Sequence, residues 1–180
     1  MATQETPPDP GTDKMGRGMM YLAWLCFLVL LSFGFNSWLE NRQEQRYQPL
    51  SQREGQLILV ELNANRQGHY LSQGKVNGKD VRFLLDTGAT LVAVPEALAR
   101  KLGMPKGQAG YAQTANGRSR VYMSRIDTLE LGDIRLENVA ASISTGMKGN
   151  EILLGMSALG QLEFSQQGRT LSLRQLHPPN

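Results

Sequence analysis

The residues best suited to chemistry stand together at Asp86-Thr87-Gly88, where the apolar run Val81-Arg82-Phe83-Leu84-Leu85 ends. Apolar neighbours make a lone ionised carboxylate costly, so an acid placed here needs hydrogen bonds or a partner group. Thr87 offers a hydroxyl that bonds locally, and Gly88 lets the backbone turn sharply and bring N–H groups towards the carboxylate. Such a strand end is either a reactive acid or an acid that caps a structural turn, and the tripeptide alone does not separate the two. The setting occurs once. Asp127-Thr128 is followed by Leu129, and neither Asp80 nor Asp133 precedes Thr-Gly.

Other chemistries find little to work with. His69 and His177 are too few and too far apart for a metal site or a Ser-His pair, and a surface role suits them. The single cysteine, Cys26, lies in an apolar run, so neither an intrachain disulfide nor a cysteine metal site forms. There are 19 glycines, but no phosphate-cradling spacing. The net charge of +3 is spread along the chain without an aromatic and basic stripe, which gives no nucleic-acid surface. No metal or cofactor is expected.

The elements that must position Asp86 read mostly as short strands. Turn pairs at Asn77-Gly78, Asn116-Gly117, Gly132-Asp133 and Gln167-Gly168 punctuate apolar or alternating runs. HYLSQGKV should pair with DVRFLLD, and YAQTA with RSRVYM. Two short helices are expected, from Pro95 to Leu102 with Gly103 at its end, and from Met156 to Leu162. The fold class is therefore all-β, a compact and partly closed barrel with one or two small helices.

This domain is expected over 56–176. Ahead of it, residues 18–39 carry no charge and approach the roughly 20 residues a helix needs to span a bilayer. Tyr21, Trp24 and Trp38 lie towards the ends of that run, and a single transmembrane helix is expected. Residues 1–17 read as a disordered tail, 40–55 as a polar stalk and 177–180 as a C-terminal tail. Lys14 and Arg17 before the span nearly balance Arg42 and Arg46 after it, so charge bias leaves orientation open.

Asp86-Thr87-Gly88-Ala89 after a hydrophobic strand resembles the aspartic proteases. The downstream Glu151-Ile-Leu-Leu-Gly-Met-Ser-Ala-Leu-Gly-Gln-Leu-Glu-Phe164 is similar to the strand, glycine and short helix of the retropepsins. The resemblance covers about 56–176 and is nearest to bacterial membrane-anchored members of the group. It implies a single-pass inner-membrane protein with a periplasmic catalytic domain that hydrolyses extended polypeptide.

The resemblance also implies a homodimer. The chemistry uses two carboxylates facing one water, and this chain has one motif, so a two-fold axis must bring a second Asp86. Thr87 would bond across the dimer, Gly88 would supply backbone contacts, and Ala89 would complete the turn. The hairpin at Thr114, Ala115, Asn116 and Gly117 stands where retropepsins carry the flap that covers substrate. Viral enzymes commonly have an acid where this chain has Thr90 and an arginine where it has Met156, so their dimer contacts do not transfer. Their chain ends interleave in a shared sheet, for which Thr170-Leu-Ser-Leu173 alternates suitably, yet the N-terminal end here leads into a stalk, so the sequence leaves the interface open. The competing reading is a catalytically silent peptide-binding or scaffold module of the same fold.

Overall fold

A computed structural model describes residues 20–21, 23–35, 47–114 and 117–176. The chain divides into two compact units, Met1–Arg46 and Tyr47–Asn180. In the first, residues 20–21 and 23–35 are helical with their large apolar side chains exposed. Among the described residues no helix is long and apolar enough to cross a membrane. The structure thus does not support the expected span over 18–39, whose two ends lie outside the described residues, as do the tails 1–17 and 177–180.

The second unit is built from strands β1 (Leu50–Glu54), β2 (Leu57–Asn63), β3 (Leu71–Val76), β4 (Lys79–Leu85) and β5 (Val92–Pro95). Helix α1 (Glu96–Leu102) follows, then β6 (Ala109–Thr114), β7 (Gly117–Leu131), β8 (Ile134–Ser144) and β9 (Glu151–Leu154). Helix α2 (Met156–Leu159), β10 (Glu163–Gln167) and β11 (Thr170–Leu176) complete it. One sheet runs β3-β4-β9-β5-β8-β7-β6, and a pairing of β3 with β7 closes its first six strands into a ring. The closing seam is short, Lys75↔Glu130 and Val76↔Leu129. A second sheet, β1-β2-β11-β10, holds the two ends of the unit together.

Period-two burial explains these strands. Ile58, Val60 and Leu62 of β2 and Val81 and Phe83 of β4 turn inward, and they share one core with Ile126, Ile143, Ile152 and Leu173. The β3–β4 hairpin forms as expected, and Asn77 and Gly78 at its two-residue turn both have positive φ, 51° and 76°. The β6–β7 hairpin also forms, with Thr114 paired to Gly117; residues 115–116 between them lie outside the described residues. Gly117 has φ 98° and lies in the strand. Helix α1 begins one residue after Pro95 and ends at the left-handed Gly103, whereas α2 stops at Leu159 rather than Leu162.

Two differences bear on the site. First, β1 occupies 50–54, within the segment read as stalk, and the folded unit begins at Tyr47 rather than near Gln56. The sequence LSQRE lacks apolar alternation; backbone pairing with β2 makes it a strand. Second, the expected hairpins account for only part of the barrel. β4 lies parallel to β9, and β5 parallel to β8.

Candidate active site

Asp86 stands where two parallel strands end side by side. Leu85 of β4 is level with Leu154 of β9, and the Asp86 N–H donates to the Leu154 carbonyl at 3.1 Å. The chain then turns. The Gly88 N–H donates to Asp86 Oδ1 at 2.9 Å, and the Ala89 N–H donates to the Asp86 carbonyl at 3.1 Å. Glycine fits because a Cβ at 88 would stand 3.1 Å from that same oxygen. The turn is thus the one read from Asp86, Thr87, Gly88 and Ala89. Asp86 is half-buried, and the Gly88 N–H gives its carboxylate the only hydrogen bond it has among the described residues. Thr87 is exposed, and its hydroxyl has no partner among the described residues.

The loop 86–91 crosses directly over the start of α2. The Met156 N–H donates to the Ala89 carbonyl at 2.8 Å, and the Ser157 N–H donates to the Thr90 carbonyl at 2.9 Å. Gly155 makes this crossing possible, since a Cβ there would meet the Leu91 and Ala89 carbonyl oxygens at 2.4 and 2.6 Å. Ser157 locks the far side: its Oγ donates to the Ala140 carbonyl at 2.7 Å and accepts from the Val92 N–H at 3.0 Å. The two segments that carry Thr90 and Met156, where an acid and an arginine are missing, are therefore joined by backbone bonds from Met156 to Ala89 and from Ser157 to Thr90, and the Ser157 hydroxyl bonds Val92 and Ala140. Sequence reasoning quoted Ser157 without giving it a role. A serine in a short helix carries no signal of which strands its hydroxyl will meet.

A cavity of about 210 Å³ lies beside the turn, walled by Tyr70, Leu85 and Thr87 on one side and by Leu159, Leu171 and Leu173 from α2 and β11. Phe164 and Gln166 of β10 complete it. No described residue of the β6–β7 hairpin contributes, so the structure does not bring Thr114 and Gly117 to this cavity. Thr114 Oγ1 instead donates to the Gly117 carbonyl at 2.7 Å, bracing the hairpin end; Ala115 and Asn116 lie outside the described residues.

Residues 72–161 match the family described as "gag-polyprotein putative aspartyl protease". An uncharacterized protein from the cobV 5' region of Sinorhizobium sp is 31% identical over 176 residues, covering 89% of this chain and 74% of that one. An uncharacterized protein of Rickettsia prowazekii (strain Madrid E) is 28% identical over 108 residues, 58% of this chain and 45% of the relative's length. The crystal structure of a retropepsin-like aspartic protease from Rickettsia conorii superposes with a TM-score of 0.55 at 24% identity, covering 71% of this chain and 94% of that one. The fold is that of the retropepsin-like enzymes. The chain belongs to the retropepsin-like aspartic protease family.

Proposed function

We propose that this chain is an aspartic endopeptidase whose active site is completed by a second copy of itself. One observation carries the reading: a family-typical Asp86 turn in which Gly88 holds one carboxylate oxygen, while the other oxygen and the Thr87 hydroxyl have no partner among the described residues. Two such carboxylates brought within about 3 Å cannot both ionise, so the pair shares one proton. A water held between them loses a proton to the ionised Asp86 and attacks the scissile carbonyl carbon. The protonated Asp86 gives its proton to the carbonyl oxygen. Collapse of the tetrahedral intermediate breaks the C–N bond: the nitrogen takes a proton from the protonated Asp86 and leaves as an amine, while a hydroxyl of the intermediate gives its proton to the ionised Asp86, so the pair again holds one proton.

Each Thr87 hydroxyl then reaches across the two-fold axis and holds the carboxylates coplanar. The β6–β7 hairpin, exposed along most of β6, acts as a flap over an extended polypeptide. Residues 18–39 anchor the protein in the inner membrane with the catalytic unit in the periplasm, supported by the uncharged apolar run and the polar residues that follow it.

The test is cleavage of a denatured protein by wild type and Asp86→Ala across mildly acidic pH, with sedimentation in parallel. Cleavage that disappears in the variant and is blocked by a transition-state-like peptide inhibitor supports the reading. Binding of extended peptide without cleavage by wild type would replace it with the silent-module reading.

A further inference from the structure

The completed site requires a second copy, and the terminal sheet restricts where that copy attaches. Over Thr170–Arg174 both ladders of β11 are filled within the chain, by β2, which pairs from Leu57↔Leu176 to Asn63↔Thr170, and by β10, which pairs from Glu163↔Arg174 to Gln167↔Thr170. Thr170–Leu173, the segment whose alternation would suit such a sheet, is thus already paired on both sides within the chain and is not free to interleave with a partner's ends. Among the described residues only β1 and β10 remain as edges of this sheet.

Of the two, β10 borders the catalytic turn, because Phe164 and Gln166 share a cavity wall with Thr87. Every residue of β10 is exposed, and Phe164 keeps 43% of its surface in solvent. The strand carries neither proline nor lysine, and Glu163 at its start is its one charged side chain, so from Phe164 to Gln167 the edge is unguarded. Its open side also has a defined phase. Gln167 and Thr170 flank the two-residue turn 168–169, so they form a hydrogen-bonded pair. Antiparallel alternation then commits Glu163, Ser165 and Gln167 to β11 and turns the N–H and C=O of Phe164 and Gln166 outward.

We propose that the second copy docks along β10, strand to antiparallel strand, across a two-fold axis at Ser165, with each copy keeping its own chain ends. This rests on the reading that a second Asp86 completes the site. In that register Phe164 faces the partner's Gln166 and exchanges N–H···O bonds with it, while Glu163 faces the partner's Gln167, so no like charges meet. The side chains of Phe164 and Gln166 lie on the cavity side, which sets the axis beside Thr87. A dimer of this kind separates into folded subunits, unlike one whose ends interleave.

The geometry is checked in the full chain in detergent with Cys26→Ser, which removes the native thiol. Two Ser165 residues on the axis form a non-hydrogen-bonded pair with Cα atoms about 4.5 Å apart, within the reach of a disulfide. Cys26→Ser/Ser165→Cys should oxidise to a covalent dimer that retains cleavage and no longer loses specific activity on dilution. Cys26→Ser/Gln52→Cys, at the β1 edge, should remain uncrosslinked. As a second arm, Gln166→Pro removes an outward N–H without touching the β11 ladder. It should sediment as a folded monomer with wild-type circular dichroism and at least ~10-fold less activity.

Efficient crosslinking at 52 but not at 165, or a Gln166→Pro protein that stays dimeric and active, overturns the β10 interface and leaves the dimeric protease standing. Protection of the Phe164 and Gln166 amides only when an extended peptide is added would also overturn it, marking β10 as a substrate edge. Wild type that neither dimerises nor cleaves at high concentration refutes the protease reading itself.

Discussion

The dipeptide Asp-Thr occurs twice in this chain with opposite outcomes. At 127–128 it lies within the long strand β7, followed by the core residue Leu129. Both backbone N–H groups donate to Asn77 Oδ1, at 3.1 and 3.2 Å, and the Thr128 carbonyl accepts from the Asn77 N–H at 2.9 Å. That pair fastens the β3–β4 turn to β7 beside the seam that closes the barrel. At 86–87 the strand ends, glycine follows, and the turn bonds back to the carboxylate itself. One Asp-Thr has its backbone used for architecture. The other has its backbone fixed and one carboxylate oxygen held by Gly88, while its second carboxylate oxygen and the Thr87 hydroxyl have no partner among the described residues, as the proposed chemistry requires.

Substitution at the two acids breaks the comparison most directly. Asp86→Ala should lower peptide cleavage by at least ~10³-fold, whereas Asp127→Ala should stay within about 2-fold, as expected of an exposed strand residue; equal losses would put Asp127 in the site. Gly155→Ala comes next, because its Cβ would overlap the carbonyls of Ala89 and Leu91. It should cost about 1–3 kcal/mol or more in denaturant unfolding, and cleavage should fall further than stability alone explains. Asn77→Ala should cost about 1–2 kcal/mol through the lost acceptor for Asp127 and Thr128. Activity below the melting range should remain, and a collapse of activity in a folded Asn77→Ala protein would contradict the purely architectural role.

The smallest effect is a pH dependence away from both dipeptides. The Lys106 ammonium bonds to the Glu96 carboxylate and holds its pKa below the usual carboxylate range. A lowered folded-state pKa contributes stability above the unfolded value, and that contribution is lost as pH falls through the folded value. Lys106→Met should therefore flatten the acid limb of the Tm profile slightly, by little because the pair is solvent-exposed. An unchanged profile would show that screening removes the contribution altogether.

How much was legible follows from which forces act locally. Asp86, Thr87, Gly88 and Ala89 were readable because a strand end, a hydroxyl and a glycine dictate their own turn, whose bonds close within three residues. The β3–β4 hairpin was readable because Asn77-Gly78 suits positive φ at both positions. Strand β1 was invisible because its stability comes from the ladder to β2 and not from apolar side chains. Ser157 was passed over for a similar reason. Its hydroxyl bonds Ala140 and Val92, 17 and 65 residues away.

The sequence by itself determined the family, the single acid and the hairpins, since each is written in neighbouring residues or in period-two burial. Only the tertiary structure decided that β4 and β9 run parallel beneath the acid, that Gly155 lets loop 86–91 cross α2, and that β11 is filled from within while β10 stays open. The physical reason is that ladder pairing and close backbone approach depend on which distant segments meet, and backbone N–H and C=O groups are the same for every residue except proline.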